Sequence, residues 1–353
     1  MITGSTATAS SRSGGVRRIA TTTAYAGVGA GLIGAALFGV LRTQASLTRR
    51  RVLRHEGIED PPNGTGVWGE GSDRPLTLAM IGDSSAVGRG VDLVTETPGV
   101  LLAHSLAGFA RRPVRLVQVA VTGSESSDLA LQIDRVLPES PDVAVIMIGA
   151  NDVTARIPVA RAVGQLRQAV LLLRQGGCEV VVGTCPDLGT LRHVPQPLRL
   201  FGRRWSRQMA AAQTVAVVEA GGRSVSLGSL LGPEFEARPE WFSLDEFHPS
   251  ADGYAAAAAV MLSSVAAAIG IPAPADFREM PLTSGGIEPI AMAAVRAAWH
   301  SGTEVSAADS RGGGLRGGSL ALSLRRRPAK MPTPEEAADG CENPDAQPKG
   351  QAV

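Results

Sequence analysis

The sequence predicts an α/β protein: a three-layer α/β/α sandwich on a mainly parallel five-stranded sheet, preceded by one N-terminal transmembrane or signal helix. Three observations lead to this prediction. Short apolar runs alternate along the chain with longer segments that carry apolar residues at helical spacing. The short runs are apolar on both faces, which is typical of parallel strands covered by helices on both sides. A long stretch without charge, residues 19–41, precedes all of them.

The strands and helices follow one another in regular alternation. The five predicted strands are residues 76–81, 114–121, 142–148, 179–183 and 224–227. The predicted helices are residues 97–109, 127–137, 158–174, 198–220 and 253–269. Right-handed crossovers between parallel strands distribute such helices over both faces of the sheet. These elements together predict one domain over residues 76–270.

The N-terminal region has the composition of a membrane segment. Residues 1–18 are polar, and residues 19–41 carry no charge. As a helix the uncharged stretch is about 34 Å long, enough to cross a hydrocarbon core of ~30 Å. We therefore expect either an uncleaved anchor or a signal peptide, and a protein that is membrane-anchored or exported to the cell envelope. Arginines flank the stretch on both sides, so the side of the membrane stays open.

The segments on either side of the domain differ from it in composition. Residues 42–75 are basic and then rich in Pro and Gly, which predicts a linker. Residues 271–303 predict a C-terminal extension with one helix at 287–299. Residues 304–353 are rich in Gly, Pro and Ser, which predicts a disordered tail.

Composition also excludes several classes of protein. A formal net charge of +1 gives no basis for nucleic-acid binding, which needs a basic surplus on one face. The three cysteines, at positions 178, 185 and 341, form neither a CxxC pair nor a Cys/His cluster at metal spacing. We expect Cys178 and Cys185 to be buried as small apolar residues. No metal or organic cofactor is predicted.

A candidate nucleophile and its base follow from the positions of strand ends. Ser84 comes directly after the first predicted strand, and ligands of such sheets bind at the carboxyl ends of the strands. A serine hydroxyl needs a base to become a good nucleophile. Of the five histidines, His248 has a loop carboxylate suitably placed beside it, because Asp245 lies three residues earlier. That carboxylate can orient the imidazole and stabilise its charged form.

Two further strand ends offer hydrogen-bond donors. Gly123 follows the second strand and Asn151 follows the third. With the backbone N–H of Ser84, they supply three donors for one developing oxyanion. Each of these residues alone is also ordinary turn composition. Their common placement after strands is what favours a shared site.

As a set, these residues resemble the SGNH (GDSL-type) hydrolase family. Four blocks carry the resemblance in the family's order over about residues 77–270: Gly82-Asp83-Ser84, Gly123, Gly149-Ala150-Asn151-Asp152 and Asp245-Glu246-Phe247-His248-Pro249. The resemblance implies the flavodoxin-like fold of that family. The second block departs from the family pattern, because the Asn often found shortly before its glycine is absent.

The resemblance also implies roles for these residues. Ser84 would be the nucleophile, His248 the general base and later acid, and Asp245 the residue that orients it. Ser84, Gly123 and Asn151 would form the oxyanion hole. The activity implied is that of a serine esterase or lipase, acting on lipid, short-acyl or glycan O-acyl esters through an acyl-enzyme. An acyltransferase and a catalytically silent binding domain are the alternatives.

The residues that would line a substrate pocket are less clear from the sequence. Trp241 and Phe242 lie just before the histidine loop. They either line such a pocket or belong to the hydrophobic core.

Overall fold

The structure is a computed structural model that describes residues 35–48, 50, 60–271, 288–289, 303–307 and 321–326. Within these residues the strands form one nine-stranded sheet. They are β1 (Gly66–Trp68), β2 (Leu76–Gly82), β3 (Val114–Gln118), β4 (Val143–Met147), β5 (Glu179–Gly183), β6 (Arg223–Val225), β7 (Glu288–Pro289), β8 (Thr303–Ala307) and β9 (Ala321–Arg326). Their spatial order is β1-β3-β2-β4-β5-β6-β8-β9-β7.

The first described helix is α1 (residues 35–48), whose Gln44 bonds to Gln196 O and Leu198 N. The other helices pack on both faces of the sheet. They are α2 (Ser84–Val87), α3 (Pro98–Ala110), α4 (Leu129–Val136), α5 (Ala150–Ala155), α6 (Val159–Gln175), α7 (Leu198–Glu219), α8 (Leu227–Ala237) and α9 (Ala251–Ala268). A 3₁₀ turn, Leu188–Thr190, follows β5. The arrangement is the predicted α/β/α sandwich.

The five predicted strands form the parallel centre of the sheet, in the order β3-β2-β4-β5-β6. Residues 78–81 of β2 alternate between the two hydrophobic layers, and all are fully buried. Leu78 and Met80 pack toward α3 and α9, whereas Ala79 and Ile81 pack toward α4 and α6. This explains the continuous apolar runs, since each face of the sheet has its own core.

Most predicted boundaries of strands and helices lie within a few residues of those in the structure. The largest difference at a strand is at β3, which ends at Gln118 instead of residue 121. The backbone N–H groups of Val119 and Ala120 both bond to Met80 O, and that of Val121 bonds to Gly82 O. The chain therefore leaves the regular ladder and crosses the end of β2.

The described strands that were not predicted lie at the edges of the sheet. β1 lies within the predicted linker and pairs antiparallel with β3, where the Trp68 indole donates to Gly64 O. On the other side, β8 pairs with β6, and β9 lies beyond it. β7 lies within the helix predicted at 287–299, and β8 and β9 lie at or within the predicted disordered tail, so both predictions were wrong for these residues. They extend the sheet by backbone pairing along an open edge, which needs no apolar run. The remainder of both segments lies outside the described residues.

The predicted membrane segment lies mostly outside the described residues. Its last seven positions, 35–41, begin α1, where Leu37 and Phe38 are exposed. Among the described helices, α9 alone is long and apolar enough to cross a membrane, yet 61% of it is buried in the fold. α9 packs against α3 in the hydrophobic layer, so its apolar character is that of a core helix.

Candidate functional site

Ser84 lies at the carboxyl edge of the sheet, as predicted. β2 ends at Gly82, whose φ is +138° and where an added Cβ would lie 1.9 Å from Met147 O. Only glycine therefore allows β2 to pass so close to β4 at this point. Asp83 follows and accepts a hydrogen bond from Ser85 N at 2.9 Å, which caps α2. Ser84 is thus the first residue of a helix that starts at the strand end.

His248 and Asp245 meet Ser84 at this edge. His248 Nε2 lies 2.9 Å from Ser84 Oγ, and His248 Nδ1 lies 2.6 Å from Asp245 Oδ2. All three residues are buried, with 4% to 7% of their surface exposed. The three predicted catalytic side chains therefore form one continuous hydrogen-bonded series.

The loop that carries Asp245 and His248 is rigidly held. The other carboxylate oxygen, Asp245 Oδ1, accepts hydrogen bonds from Phe247 N, His248 N and Ser243 Oγ, each at 2.8 Å. Ser243 N donates to His248 O, which closes the loop across its base. The backbone of His248 is thus fixed by the loop, and the Asp245 carboxylate orients its imidazole.

Two opposing effects act on the Asp245 carboxyl group. Burial raises its pKa, while the hydrogen bonds and charge of His248 and the N–H groups of the loop lower it. The lowering effects dominate, so the pKa of Asp245 lies well below its ordinary value. The group is therefore a carboxylate at neutral pH and presents a negative charge to Nδ1.

The two predicted oxyanion donors lie on neighbouring loops. Gly123 has φ +85°, and an added Cβ would meet nothing within 4 Å, so the turn is open on that side. Asn151 lies in the first turn of α5, where its Nδ2 donates to Ser124 O at 3.0 Å. A side-chain amide has two N–H groups, so one remains for a ligand. Ser124 thereby links Asn151 to the turn of Gly123.

A glutamine that the sequence analysis did not single out connects these loops. Gln132, on α4, is 2% exposed. Its Oε1 accepts from Gly82 N, and its Nε2 donates to Gly82 O and to Ser124 Oγ. Gln132 therefore connects the Ser84 turn to the Gly123 turn. The sequence indicates such a residue in one way: Gln132 is a polar residue beside Leu129 and Ile133 on the apolar face of a predicted helix.

A carboxyl group next to the candidate nucleophile is unusually placed. Asp83 is 2% exposed. Burial raises its pKa to about 6, although the hydrogen bonds from Ser85 act in the opposite direction. Asp152 is also buried, and burial raises its pKa while Ser126 N and Oγ donate to it. Asp245, and neither Asp83 nor Asp152, is the carboxylate that bonds to His248 Nδ1.

A cavity of about 90 Å³ opens beside Ser85 and His248. It extends between the ends of β4 and β5 and the helices α8 and α9. Its larger apolar lining residues include Leu188, Leu191, Leu227, Leu231, Phe242 and Phe247. The structure separates the two aromatic residues that the sequence left undecided. Phe242 lines the cavity, whereas Trp241 is 8% exposed and belongs to the hydrophobic core.

The two described cysteines have no part in this site. Cys178 and Cys185 are free and buried, as expected for small apolar residues. Burial raises the pKa of Cys178 to about 12 and that of Cys185 well above its ordinary value, so both stay protonated. Cys341 lies outside the described residues. The part of the chain that is described holds no group of three His, Cys, Asp or Glu side chains placed to bind a metal.

A covered parallel sheet with Ser, His and Asp bonded in series at its carboxyl edge is an arrangement found in serine hydrolases. Residues 80–256 match the model of the GDSL-like lipase/acylhydrolase family. The chain is also 41% identical over 253 residues to GDSL-like esterase Rv1075c of Mycobacterium tuberculosis (strain ATCC 25618 / H37Rv), a match that covers 68% of this chain and 79% of that one. The chain belongs to the GDSL-like lipase/acylhydrolase family, the SGNH ester hydrolases, and hydrolyses carboxylic esters.

The chain also matches solved structures at low sequence identity. TesA is 19% identical, with a TM-score of 0.44, and the match covers 53% of this chain and 96% of that one. The acetylxylan esterase Axe2 from Geobacillus stearothermophilus is 20% identical, with a TM-score of 0.40, and the match covers 58% of this chain and 96% of that one.

Proposed function

We propose that this chain hydrolyses carboxylic esters through an acyl-enzyme on Ser84, with His248 as base and acid and Asp245 as its orienting carboxylate. The observation that carries the proposal is the hydrogen-bonded series from Ser84 Oγ through His248 to Asp245 Oδ2, with distances of 2.9 and 2.6 Å. The match to an ester hydrolase family supports the same assignment.

In the acylation step, Ser84 Oγ attacks the ester carbonyl carbon while its proton passes to His248 Nε2. The carbonyl π electrons move to the oxygen, which becomes an oxyanion in a tetrahedral intermediate. His248 then gives the proton to the leaving oxygen, and the C–O bond to the alcohol breaks. Asp245 stabilises the imidazolium that exists between these transfers, because its carboxylate faces Nδ1.

Three donors are proposed to bind the oxyanion: the N–H groups of Ser84 and Gly123 and the Nδ2 of Asn151. The Ser84 N–H lies at the start of α2, where backbone donors have no partner within the helix. The contact of Asn151 with Ser124 O fixes the amide plane and leaves one N–H for the substrate. Such preorganised donors act without reorganisation at the moment of reaction.

In the deacylation step, a water molecule replaces the alcohol. His248 takes a proton from the water, whose oxygen attacks the acyl carbon on Ser84. The second tetrahedral intermediate then breaks, and the proton returns to Ser84 Oγ as the carboxylic acid leaves. No chemistry beyond these side chains is needed for the cycle.

The proposed substrates are esters of the lipid or envelope layer, including short-acyl and glycan O-acyl esters. The uncharged stretch at residues 19–41 and its arginine-rich flanks support a location at a membrane. We propose that this stretch attaches the hydrolase to the membrane or directs its export.

The experiment that tests the nucleophile compares two adjacent serines in the full chain. Ser84→Ala should abolish hydrolysis of 4-nitrophenyl esters and labelling by an organophosphorus serine probe. Ser85→Ala should retain most of both, since the bond that caps α2 comes from the Ser85 backbone N–H, which alanine keeps. Equal loss in both folded variants, or retained labelling of Ser84→Ala, would assign the nucleophile to another residue.

A further inference from the structure

Asp60, which the sequence places in a linker, bonds to two loops of the candidate site. Its Oδ1 accepts hydrogen bonds from Thr122 Oγ1 at 2.8 Å and from Arg89 Nη1 at 3.1 Å. Thr122 directly precedes Gly123 in the chain. Arg89 follows the short helix α2, and its N–H donates to Ser84 O at 3.0 Å. One carboxylate therefore contacts the loops of two of the proposed oxyanion donors.

The residues that follow Asp60 are packed against the fold, so the carboxylate has a defined position. Gly64 is buried, and an added Cβ there would lie 2.6 Å from a methyl group of Val100. The chain therefore passes close to α3 at this point. Thr65 Oγ1 accepts from Gln118 N, at the last residue of β3, at 3.0 Å. The segment that begins with Asp60 is thus fixed at α3 and at the end of β3.

The Gly123 turn comprises residues 121–124 and is fixed at both ends, while its tip is exposed. Ser124 N donates to Val121 O, which closes the turn, and Val121 N donates to Gly82 O. At the other end, Asn151 Nδ2 donates to Ser124 O. Gly123 at the tip is exposed, and an added Cβ there would meet nothing within 4 Å. The tip therefore gains little stability from packing.

The position of the Gly123 N–H depends on Thr122. This N–H belongs to the planar peptide that joins Thr122 to Gly123, so it moves with that peptide. Glycine is conformationally permissive, and Gly123 itself therefore restricts the peptide little. Catalytic groups have to be held within about 0.5 Å of their productive geometry. The bond from Thr122 Oγ1 to Asp60 limits the movement of the residue directly before the glycine.

Arg89 is a fixed anchor for the Asp60 carboxylate. The backbone of Arg89 is bonded on both sides, because its N–H donates to Ser84 O and its carbonyl accepts from the Tyr254 hydroxyl at 2.7 Å. The Tyr254 side chain is completely buried. The ion pair between Arg89 and Asp60 is partly exposed, with 25% and 41% of the side-chain surfaces accessible. Such pairs contribute little to global stability, so we expect its effect on local geometry instead.

We propose that Asp60 is a positioning residue for ester hydrolysis: it holds Thr122 so that the N–H of Gly123 stays directed at the oxyanion. The inference rests on the proposed function, because it takes the Gly123 N–H as an oxyanion donor. It extends the functional part of the chain beyond residues 80–256, which match the family, into the predicted linker. The oxyanion develops only in the transition state, so loss of Asp60 should lower kcat and leave KM unchanged.

The test measures kcat and KM of the full chain with 4-nitrophenyl butyrate in Asp60→Ala and Thr122→Val, which remove the two ends of one hydrogen bond. We expect kcat to fall about 3- to 10-fold in each, as for a lost hydrogen bond, with KM unchanged. The double variant should fall no further than the single ones, because both changes remove the same interaction. Thr122→Ser keeps the hydroxyl and should restore most of the lost activity.

Two control variants separate this role from general effects of charge and stability. Glu139→Ala breaks the ion pair with Arg115, which has a similar exposure of 39% but lies at the amino ends of β3 and β4, and should keep kcat. Arg89→Gln removes the ion pair of Asp60 but leaves the bond from Thr122. Its loss of kcat should be smaller than that of Asp60→Ala. Thermal unfolding of each variant shows that it is folded.

Several results would overturn the role of Asp60 while leaving the proposed function intact. These are an unchanged kcat in folded Asp60→Ala, losses that multiply in the double variant, and a rise in KM at constant kcat. An equal loss of kcat in Arg89→Gln or Glu139→Ala would also reject it, because the effect would then follow from charge. Failure of the proposed function looks different: hydrolysis of the butyrate ester would persist in Ser84→Ala.

Discussion

His248 Nε2 lies 2.9 Å from Ser84 Oγ although the two residues are 164 positions apart in the sequence. The contact forms because β2 and the loop before α9 end at the same edge of the sheet. α9 packs against α3 and beneath the end of β5, and this fixes the position of the histidine loop. The geometry of the candidate site therefore depends on the packing of α9 as much as on β2.

Asp245→Asn should lower kcat by about 10⁴ with little change in KM. The asparagine Oδ1 can still accept from Phe247 N and His248 N, but its NH₂ group would face His248 Nδ1. The imidazole then carries its proton on Nε2 and cannot accept the proton of Ser84. Steady-state kinetics with a 4-nitrophenyl ester and thermal unfolding of the same sample measure both effects.

Ser243→Ala is the matched control for Asp245→Asn. It removes a different hydrogen bond of the same carboxylate, the one from Ser243 Oγ to Oδ1. The contact between Oδ2 and Nδ1 stays, so this variant should lose far less activity. A folded Asp245→Asn protein with near-normal turnover would remove Asp245 from the mechanism.

Asn151→Ala should lower kcat by about 10²–10³, because one of three oxyanion donors is lost. Thr154→Val, on the exposed side of the same short helix, removes only a hydroxyl bond to Asn151 O and should stay close to wild type. Single-turnover acylation rates are the suitable measurement. A loss smaller than tenfold for well-folded Asn151→Ala would assign the oxyanion to other donors.

Gly123→Ala and Gly177→Ala together distinguish the effect of backbone strain on stability from the loss of an oxyanion donor. Both glycines have positive φ, +85° and +79°, and an added Cβ meets nothing within 4 Å at either position. Alanine should therefore cost about 1–2 kcal/mol of stability in each. Only Gly123 lies at the edge of the sheet that carries Ser84, because Gly177 lies before β5 at the opposite edge. We expect an activity loss of tenfold or more in Gly123→Ala alone, and similar activities in the two variants would contradict the role of the Gly123 N–H.

Asp83→Asn should change how stability depends on pH. Burial raises the pKa of folded Asp83 to about 6, from 3.8 for the free group. Between these values the folded state binds more protons than the unfolded state, so stability falls as pH rises through this window. About two pKa units correspond to about 3 kcal/mol. The variant should therefore gain up to that amount over wild type between pH 4 and pH 7.5.

Denaturant unfolding at both pH values measures the difference between Asp83→Asn and wild type. The free energy of unfolding of wild type has to be subtracted from that of the variant at each pH, because Asp245 contributes to both proteins in the opposite direction. The stability that Asp245 supplies is lost as the pH falls below about 4. The asparagine of the Asp83→Asn variant can still accept from Ser85 N, so the cap of α2 is retained. A difference that does not change with pH would show that the pKa of Asp83 is not raised in the folded protein.

The parallel sheet could be predicted because apolar runs report burial on both faces directly. The strand at Glu179–Gly183 has the bounds that the sequence indicates. α8 could not be predicted in this way, because Pro233 within it and its glycines oppose a helix, and its packing against α9 stabilises it instead. Local sequence carries no information about such a tertiary contact.

In the candidate site too, local sequence predicts some residues and tertiary contacts determine the others. Ser84, Asp245 and His248 could be predicted from their positions after strands and from a three-residue spacing. Gln132 could not be assigned its role, because its partner Gly82 lies 50 residues away in the sequence.

Strand β1 has a practical consequence for work with shortened chains. Gly66, Val67 and Trp68 cover the outer edge of β3 by antiparallel pairing. A fragment that begins at Leu76, where the regular domain was expected to start, would leave the N–H and C=O groups of β3 bare. Such an edge recruits strands from other molecules and promotes aggregation. Recombinant fragments should therefore start upstream of Asp60, which also bonds to Arg89 and Thr122 beside the site.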